Sequence, residues 1–243
     1  MNLINKLPIL GIFLFSYVIG FAQEPEVLVF SKTKGFWHKS IPAGIEAIEE
    51  MGEEYGFKVS ETDEAKEFSP ENLKKYKLVI FLNTTGNVLN NKQQQAFEEY
   101  IEGGGNFFGI HSAADTEYDW PWYGNLVGAY FNGHPPVAEA EIIVEKPDHL
   151  TVSHLSGVWT RRDEWYNYKN ISPHLEMLLR LDESTYEGGE NGENHPIAWY
   201  QELPGGGKAI YTGGGHTIES YIEPRFREHL LRCIQFATAE HID

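Results

Sequence analysis

The first half of the chain alternates short apolar runs with longer stretches of helical spacing. Glu26–Phe30 has the apolar density of a buried strand. Ile41–Tyr55 repeats its apolar residues at Ile41, Ile45, Ile48 and Met51, which predicts a helix, and Gly56 stops it. Residues 57–62 predict a second strand, and Ser69, Pro70 and Glu71 open a short helix with Ser as cap and Pro in the first turn. Leu78–Leu82 is wholly apolar, as strands of a sheet covered on both faces are. Residues 91–101 predict a helix stopped by Gly103, Gly104 and Gly105, and Asn106–Ile110 a fourth strand.

This order predicts a single-domain α/β fold with a mostly parallel sheet and helices on both faces, of the flavodoxin-like kind. In such sheets ligands bind beyond the carboxyl ends of the strands. The loops beginning near Ser31, Asn83 and His111 are therefore the ones to watch. The second half is less regular. Ala138–Val144, residues 175–181, residues 196–200 and Lys208–Thr212 look like strands, and residues 224–237 like a closing helix. Residues 182–194, acidic and rich in glycine, predict a solvated surface loop.

The N-terminus belongs to a different pattern. Lys6 is the only charge before an apolar run over residues 7–21, which ends on Gly20-Phe21-Ala22. That is the form of a secretory signal peptide at 1–22, leaving one domain over 24–243. As a membrane anchor the run is short, since a span needs about 20 apolar residues, and no basic cluster follows it. Periplasmic or secreted placement is the expectation, with no stable membrane insertion once the leader is cleaved. Losing Lys6 takes the net charge from −17 to −18. Such an acidic chain repels phosphate backbones, so nucleic acid is not expected as a partner. The sole cysteine, Cys233, lies in a helical pattern and cannot form an internal disulfide.

The chemistry falls to histidines at the ends of elements. His111 follows a strand that runs through Gly109 into a sharp turn, the position that in α/β folds often presents a catalytic side chain. Ser112 suits a helix N-cap better than a nucleophile, and Asp115 could orient His111 or cap that helix. His38 follows the first strand, and His134 sits between Gly133 and Pro135. Glu164 lies in Asp163-Glu164-Trp165-Tyr166, and His216 follows Gly213, Gly214 and Gly215. Three histidines and a carboxylate suit a Zn²⁺-like divalent ion or a metal-free acid/base cluster equally well. His111, Glu164, His216 and Asp115 are the catalytic candidates; His38, His134 and His216 are the metal-ligand candidates. His195 before Pro196 suits a structural turn, and His149, His154, His174, His229 and His241 are expected to be exposed. Trp37, Trp122, Trp165 and Tyr166 lie beside these motifs. Their rings suit the apolar face of a small carbohydrate, or ordinary core packing.

Several motifs then resemble one family. Gly109-Ile110-His111-Ser112-Ala113-Ala114-Asp115-Thr116 is similar to the strand-turn motif of ThuA-like (trehalose utilisation) proteins. The same family is matched by Trp120-Pro121-Trp122-Tyr123-Gly124 with Gly133-His134-Pro135, by Asp163-Glu164-Trp165-Tyr166, by His195-Pro196-Ile197-Ala198-Trp199 and by Tyr211-Thr212-Gly213-Gly214-Gly215-His216. The resemblance runs from Val27 to Ala237. It implies a class I glutamine amidotransferase-like fold, with His111 where that superfamily carries its cysteine, so amidotransferase chemistry is not expected. It implies carbohydrate processing through 3-keto (oxidised) glycosides or disaccharides, by a lyase or hydrolase. Gly214 departs from the bulkier residue common in relatives, which predicts a more open pocket. The alternatives are a metal-dependent hydrolase of ordinary glycosides or esters, and a noncatalytic sugar-binding module. Self-association into a homo-oligomer stays open.

Overall fold

The structure is a computed structural model in which residues 24–239 are described. The expected signal peptide and His241 lie outside those residues. Among them, no helix is long and apolar enough to cross a membrane.

The chain runs β1 (Glu26–Phe30), α1 (Ile41–Tyr55), β2 (Lys58–Thr62), α2 (Pro70–Leu73), β3 (Leu78–Leu82), α3 (Asn91–Glu102) and β4 (Asn106–Ile110). It continues through α4 (Pro121–Val127), β5 (Tyr130–Gly133), β6 (Ala138–Val144), β7 (Val158–Asp163), β8 (Asn167–Lys169) and β9 (Glu176–Asp182). It closes with β10 (Pro196–Glu202), β11 (Lys208–Thr212) and α5 (Pro224–Thr238). Nine strands form one sheet in the order β2-β1-β3-β4-β11-β10-β9-β6-β7, and β5 pairs with β8 apart from it. From β2 to β11 all neighbours are parallel, and beyond β11 all are antiparallel. The α/β expectation therefore holds, with an antiparallel wing added by the second half.

Alternation along β3 shows why helices cover both faces. Phe81 packs on Phe97 of α3 and Tyr123 of α4. Leu82, the next residue, points the other way, and a Cβ added to Gly44 of α1 would touch it at 3.0 Å. Helix ends follow their sequence signals. Gly56 caps α1 with φ 79°, its N–H donating to the Gly52 carbonyl. Asn90 and Gln93 form a reciprocal capping box on α3. The loop between β3 and α3 is pinned by buried Glu117, whose Oε1 accepts from the Val88 and Leu89 amides at 2.7 Å and whose Oε2 accepts from Gln94 at 2.8 Å.

Several expectations change here. Ser112 does not cap a helix: it lies inside a short 3₁₀ turn spanning His111–Asp115, whose N-cap is Ile110. His229 is fully buried rather than exposed, because its ring finds both partners inside. Nδ1 donates to the Thr151 carbonyl at 3.0 Å and Nε2 accepts from the Thr212 hydroxyl at 3.2 Å. His149 and His154 likewise depart from expectation, being half-buried rather than exposed, while His174 is exposed as expected.

Burial pushes His229 down to about 3 from an ordinary value of 6.5. Between those pH values the unfolded chain binds a proton at this position that the native chain refuses. Stability should fall on acidification through that window by roughly 1.4 kcal/mol per pH unit for this residue. Urea unfolding of His229→Gln against wild type, from pH 7 to pH 4, should show a slope flatter by one proton. Equal slopes would show that His229 is charged in the native chain.

Candidate functional site

His111 follows β4 directly with φ 48°, left-handed backbone that a residue with a side chain adopts at a cost of about 1–2 kcal/mol. The turn is held from two sides. The Tyr211 hydroxyl donates to the His111 carbonyl at 2.7 Å, and His111 Nδ1 donates to the Gly213 carbonyl at 2.9 Å. With Nδ1 carrying the proton, Nε2 is left as the free ring nitrogen, and it faces Glu164 Oε2 at 3.4 Å and His216 Nδ1 at 3.3 Å. Tight packing beneath explains Gly109, where a Cβ would meet Ala113 at 3.0 Å and Tyr211 at 3.1 Å.

Glu164 and His216 come from different strands and are joined through Asp163. This fully buried carboxylate accepts four hydrogen bonds and forms one ion pair. Oδ1 takes the amides of Glu164 at 2.9 Å and His216 at 3.1 Å. Oδ2 takes the Gly215 amide at 2.8 Å, the Ser220 hydroxyl at 2.9 Å and Arg161 Nη2 at 3.1 Å. Arg161 is itself buried, bound to Glu223 at 3.0 Å and lying over the rings of Trp159 and Phe226. The Gly215 carbonyl is tied on its other side, to Ser40 Oγ at 3.0 Å and Asn83 Nδ2 at 3.1 Å. Ser40 stands two residues after His38, so one peptide couples the loops that carry His38 and His216.

The result is a group of four, His38, His111, Glu164 and His216, whose ligand atoms all lie within 4.8 Å of one another. Three of the distances are the closest: His111 to His216 at 3.3 Å, His111 to Glu164 at 3.4 Å and His216 to Glu164 at 3.1 Å. Ligand atoms about 2.0–2.1 Å from a tetrahedral ion stand about 3.3 Å apart. A free lone pair of His111 facing a carboxylate oxygen is repulsive, and a proton or a cation between them resolves the conflict. Electrostatics agree. Burial alone would raise the Glu164 carboxyl, but His111 and His216, when protonated, donate to it and their charge holds it well below the usual range. Burial lowers His216, yet its hydrogen bond to Glu164 raises it overall. Burial, with His111 and His216 adding to it, pushes His38 down to about 3, so its ring is neutral at physiological pH. Imidazoles that give up their shared protons, together with an ionised carboxylate, are the donor set of a divalent first-row transition metal.

The structure thus gathers His38, His111, Glu164 and His216, and sets His134 at the edge. His134 Nδ1 lies 3.1 Å from Glu164 Oε1, the oxygen turned away from the other histidines, with 40% of its side chain exposed. Asp115 does not touch His111; its carboxylate accepts from the Tyr118 hydroxyl at 2.7 Å. Burial raises its pKa, which Tyr118 and the charge of His111 only partly offset. Tyr166 packs against the His111 ring at 4.2 Å, and Trp37 is exposed in the His38 loop. Trp165 is fully buried and donates its indole N–H to the Ala138 carbonyl, so its ring is core. Trp122 packs on Trp120 and Phe97. His195 is structural, holding Glu183 at 2.7 Å and the Tyr166 carbonyl at 2.8 Å. A surface hollow of about 900 Å³ beside Arg180 and Asp182 holds none of the four, and Arg180 and Lys146 within it are already paired.

Asp163 and Arg161 are the functional residues that sequence reading passed over. The one available signal was two charged residues at alternate positions of a strand that also carries Trp159. The openness expected at Gly214 is also corrected. A Cβ there would meet Arg161 Nη1 at 2.3 Å, Phe226 at 3.0 Å and Asp163 at 3.3 Å, so the guanidinium already fills the space. Gly214→Ala should therefore push Arg161 off Asp163 and cost roughly 1–3 kcal/mol. A melting temperature within a degree of wild type would contradict this.

The trehalose-utilisation family model, ThuA, matches residues 26–237. No curated protein matches the sequence. A ThuA-like protein from Bacteroides uniformis ATCC 8492 superposes with TM-score 0.74 at 23% identity, covering 91% of this chain and 95% of that one. A second, from Parabacteroides merdae ATCC 43184, gives 0.71 at 16% identity over 89% and 90% of the two chains. A glutamine amidotransferase from Thermotoga maritima gives 0.52 at 12% identity over 90% and 100%. At these identities the solved structures establish a shared fold.

Proposed function

The chain belongs to the ThuA, trehalose utilisation, family, and from that premise we propose that it processes glycosides oxidised at C3, using the four-residue cluster as a divalent metal centre. The observation that carries the reading is the near-tetrahedral spacing of the His111, Glu164 and His216 donor atoms. The substrate class comes from the family resemblance. The apolar N-terminal run, which has the form of a signal peptide in sequence, supports placing the reaction outside the cytoplasm.

A ketone at C3 acidifies the hydrogen at C2. With His111 and Glu164 in the ligand set, the base falls to Asp115, whose carboxyl burial raises above its ordinary value. Asp115 takes the C2 proton, and the electron pair moves into the C2–C3 bond as the C3 oxygen gains negative charge. When that carbonyl re-forms, a C1–C2 double bond appears and the C1–O bond breaks. The departing oxygen takes a proton from His134, which sits on the outer oxygen of Glu164. The products are an unsaturated keto sugar and a free alcohol; later addition of water across the double bond would make the net reaction a hydrolysis. A divalent ion, when bound, would supply Lewis-acid stabilisation of the charge on the C3 oxygen. His38, His111, Glu164 and His216 would hold it; the Gly213 carbonyl leaves His111 Nε2 free to ligate, and Asp163 holds the Glu164 and His216 amides from behind.

The test is Asp115→Asn on metal-loaded protein. Turnover of a C3-oxidised glucoside should fall about 10²–10⁴-fold with metal content unchanged. Undiminished turnover would remove Asp115 from the mechanism.

A further inference from the structure

The loop that carries His38 into the cluster has a second feature. Phe36 and Trp37 are adjacent and 64% and 53% exposed, a pair of large rings left in water at the edge of the site. The segment is held in place rather than loose. The Lys34 amide donates to the Thr85 carbonyl at 2.7 Å. Thr85 Oγ1 accepts from the Gly35 amide at 3.1 Å and donates to the Phe36 carbonyl at 3.0 Å. A Cβ at Gly35 would press on that hydroxyl at 3.3 Å. Phe36 is continuous with the cluster: its ring meets the His38 ring edge-on at 4.9 Å, and His38 meets His111 at 5.0 Å and His216 at 5.1 Å. Trp37 walls a hollow of about 410 Å³ whose other sides include Lys32, Lys34, Asp63 and Glu64.

Charge narrows what such a shelf suits. In a chain with 19 basic against 36 acidic residues, this short loop carries Lys32, Lys34 and Lys39 and no acid. None of the three forms an ion pair among the described residues. Rigid exposed aromatic rings gain most by stacking on another planar ring. Lysines free of partners favour an oxygen that departs with negative charge, and the carboxylates across the hollow accept from ring hydroxyls.

Resting on the function proposed above, we infer that Phe36 and Trp37 form the leaving-group subsite and that it is built for phenolic aglycones, making C3-oxidised aryl glycosides the preferred substrates. The sugar sits at the metal cluster and the aromatic ring lies along the Phe36–Trp37 shelf. A second sugar ring could use one aromatic face, but it would leave the other ring and the lysines without a role.

The experiment compares wild type with the Phe36→Ala/Trp37→Ala double variant on 4-nitrophenyl and methyl 3-keto-glucosides, both anomers, and on 3-keto-trehalose. Both side chains are exposed, so folding is checked by melting temperature. Wild type should prefer the aryl substrate over the methyl one by at least tenfold in kcat/KM, chiefly through KM, and over the disaccharide as well. In the double variant the aryl substrate should lose its KM advantage over the methyl one, leaving only the kcat difference that the better leaving group gives. An unchanged preference, or a wild type that favours the disaccharide, would overturn the inference. If wild type turns over none of the three, the reaction proposed above has failed, and calorimetric binding of 4-nitrophenyl glucoside decides the shelf separately. Binding at least tenfold weaker in the double variant supports it, and equal binding overturns it.

Discussion

His111→Asn should keep the fold and lose the chemistry. Asparagine is one of the few residues that accept left-handed backbone, so the φ of 48° at the end of β4 costs little. Its side chain cannot both donate to the Gly213 carbonyl and reach Glu164 and His216, which His111 approaches at 3.4 and 3.3 Å. One of four donors is then missing, and the Glu164 carboxylate loses an imidazole whose protonated form helps to hold it ionised. Turnover of a C3-oxidised glucoside should drop on the order of 10²–10³-fold, the size seen when one preorganised electrostatic group is removed. Divalent metal affinity should fall in parallel, while the melting temperature stays near wild type. His111→Ala is the harsher change, since alanine is poorly suited to that backbone. Full activity with normal metal binding in His111→Asn would show that the ring is not part of the centre.

Asp163→Ala carries the largest expected stability effect. Five donors converge on this buried carboxylate, and Arg161 would remain buried with only Glu223 and Ser220 as side-chain partners. Removing one member of a buried ion pair costs roughly 3–5 kcal/mol, because the remaining charge stays without compensation. Asp163→Asn keeps the shape and some of the acceptors, so it should cost less in stability. It should still weaken divalent metal binding about 10–100-fold, as loss of an outer-shell partner does. Urea unfolding and metal titration on both variants separate the two effects. An Asp163→Ala protein within 1 kcal/mol of wild type would mean that the hub adds nothing net.

What was legible in the sequence follows from where apolar periodicity survives. β1, β3 and β4 are buried on both faces and read as unbroken apolar runs, and α1 and α3 carry their caps in sequence. β7 was not legible, because its inward positions are Trp159, Arg161 and Asp163, and buried charge looks like surface until its partners are known. β5 and β8 are strands of four and three residues, Tyr-Phe-Asn-Gly and Asn-Tyr-Lys, too short to show a period. In the site, each of His38, His111, Glu164 and His216 stood out by its place at the end of an element. Which of them converge was a tertiary matter. His134 had the same local form, yet the β5 turn leaves it on the outer oxygen of Glu164. Asp163 was overshadowed by its neighbour Glu164, although it is Asp163 that joins the two strand ends.

The most direct measurement follows the products when the metal-loaded protein meets a C3-oxidised disaccharide and its unoxidised parent, each with and without a chelator. Release of the alcohol fragment from the oxidised sugar alone, stopped by chelation and restored by a divalent ion, is the expected result. An oxidised sugar that survives the metal-loaded protein, or an unoxidised parent cleaved at the same rate, would contradict the proposed function.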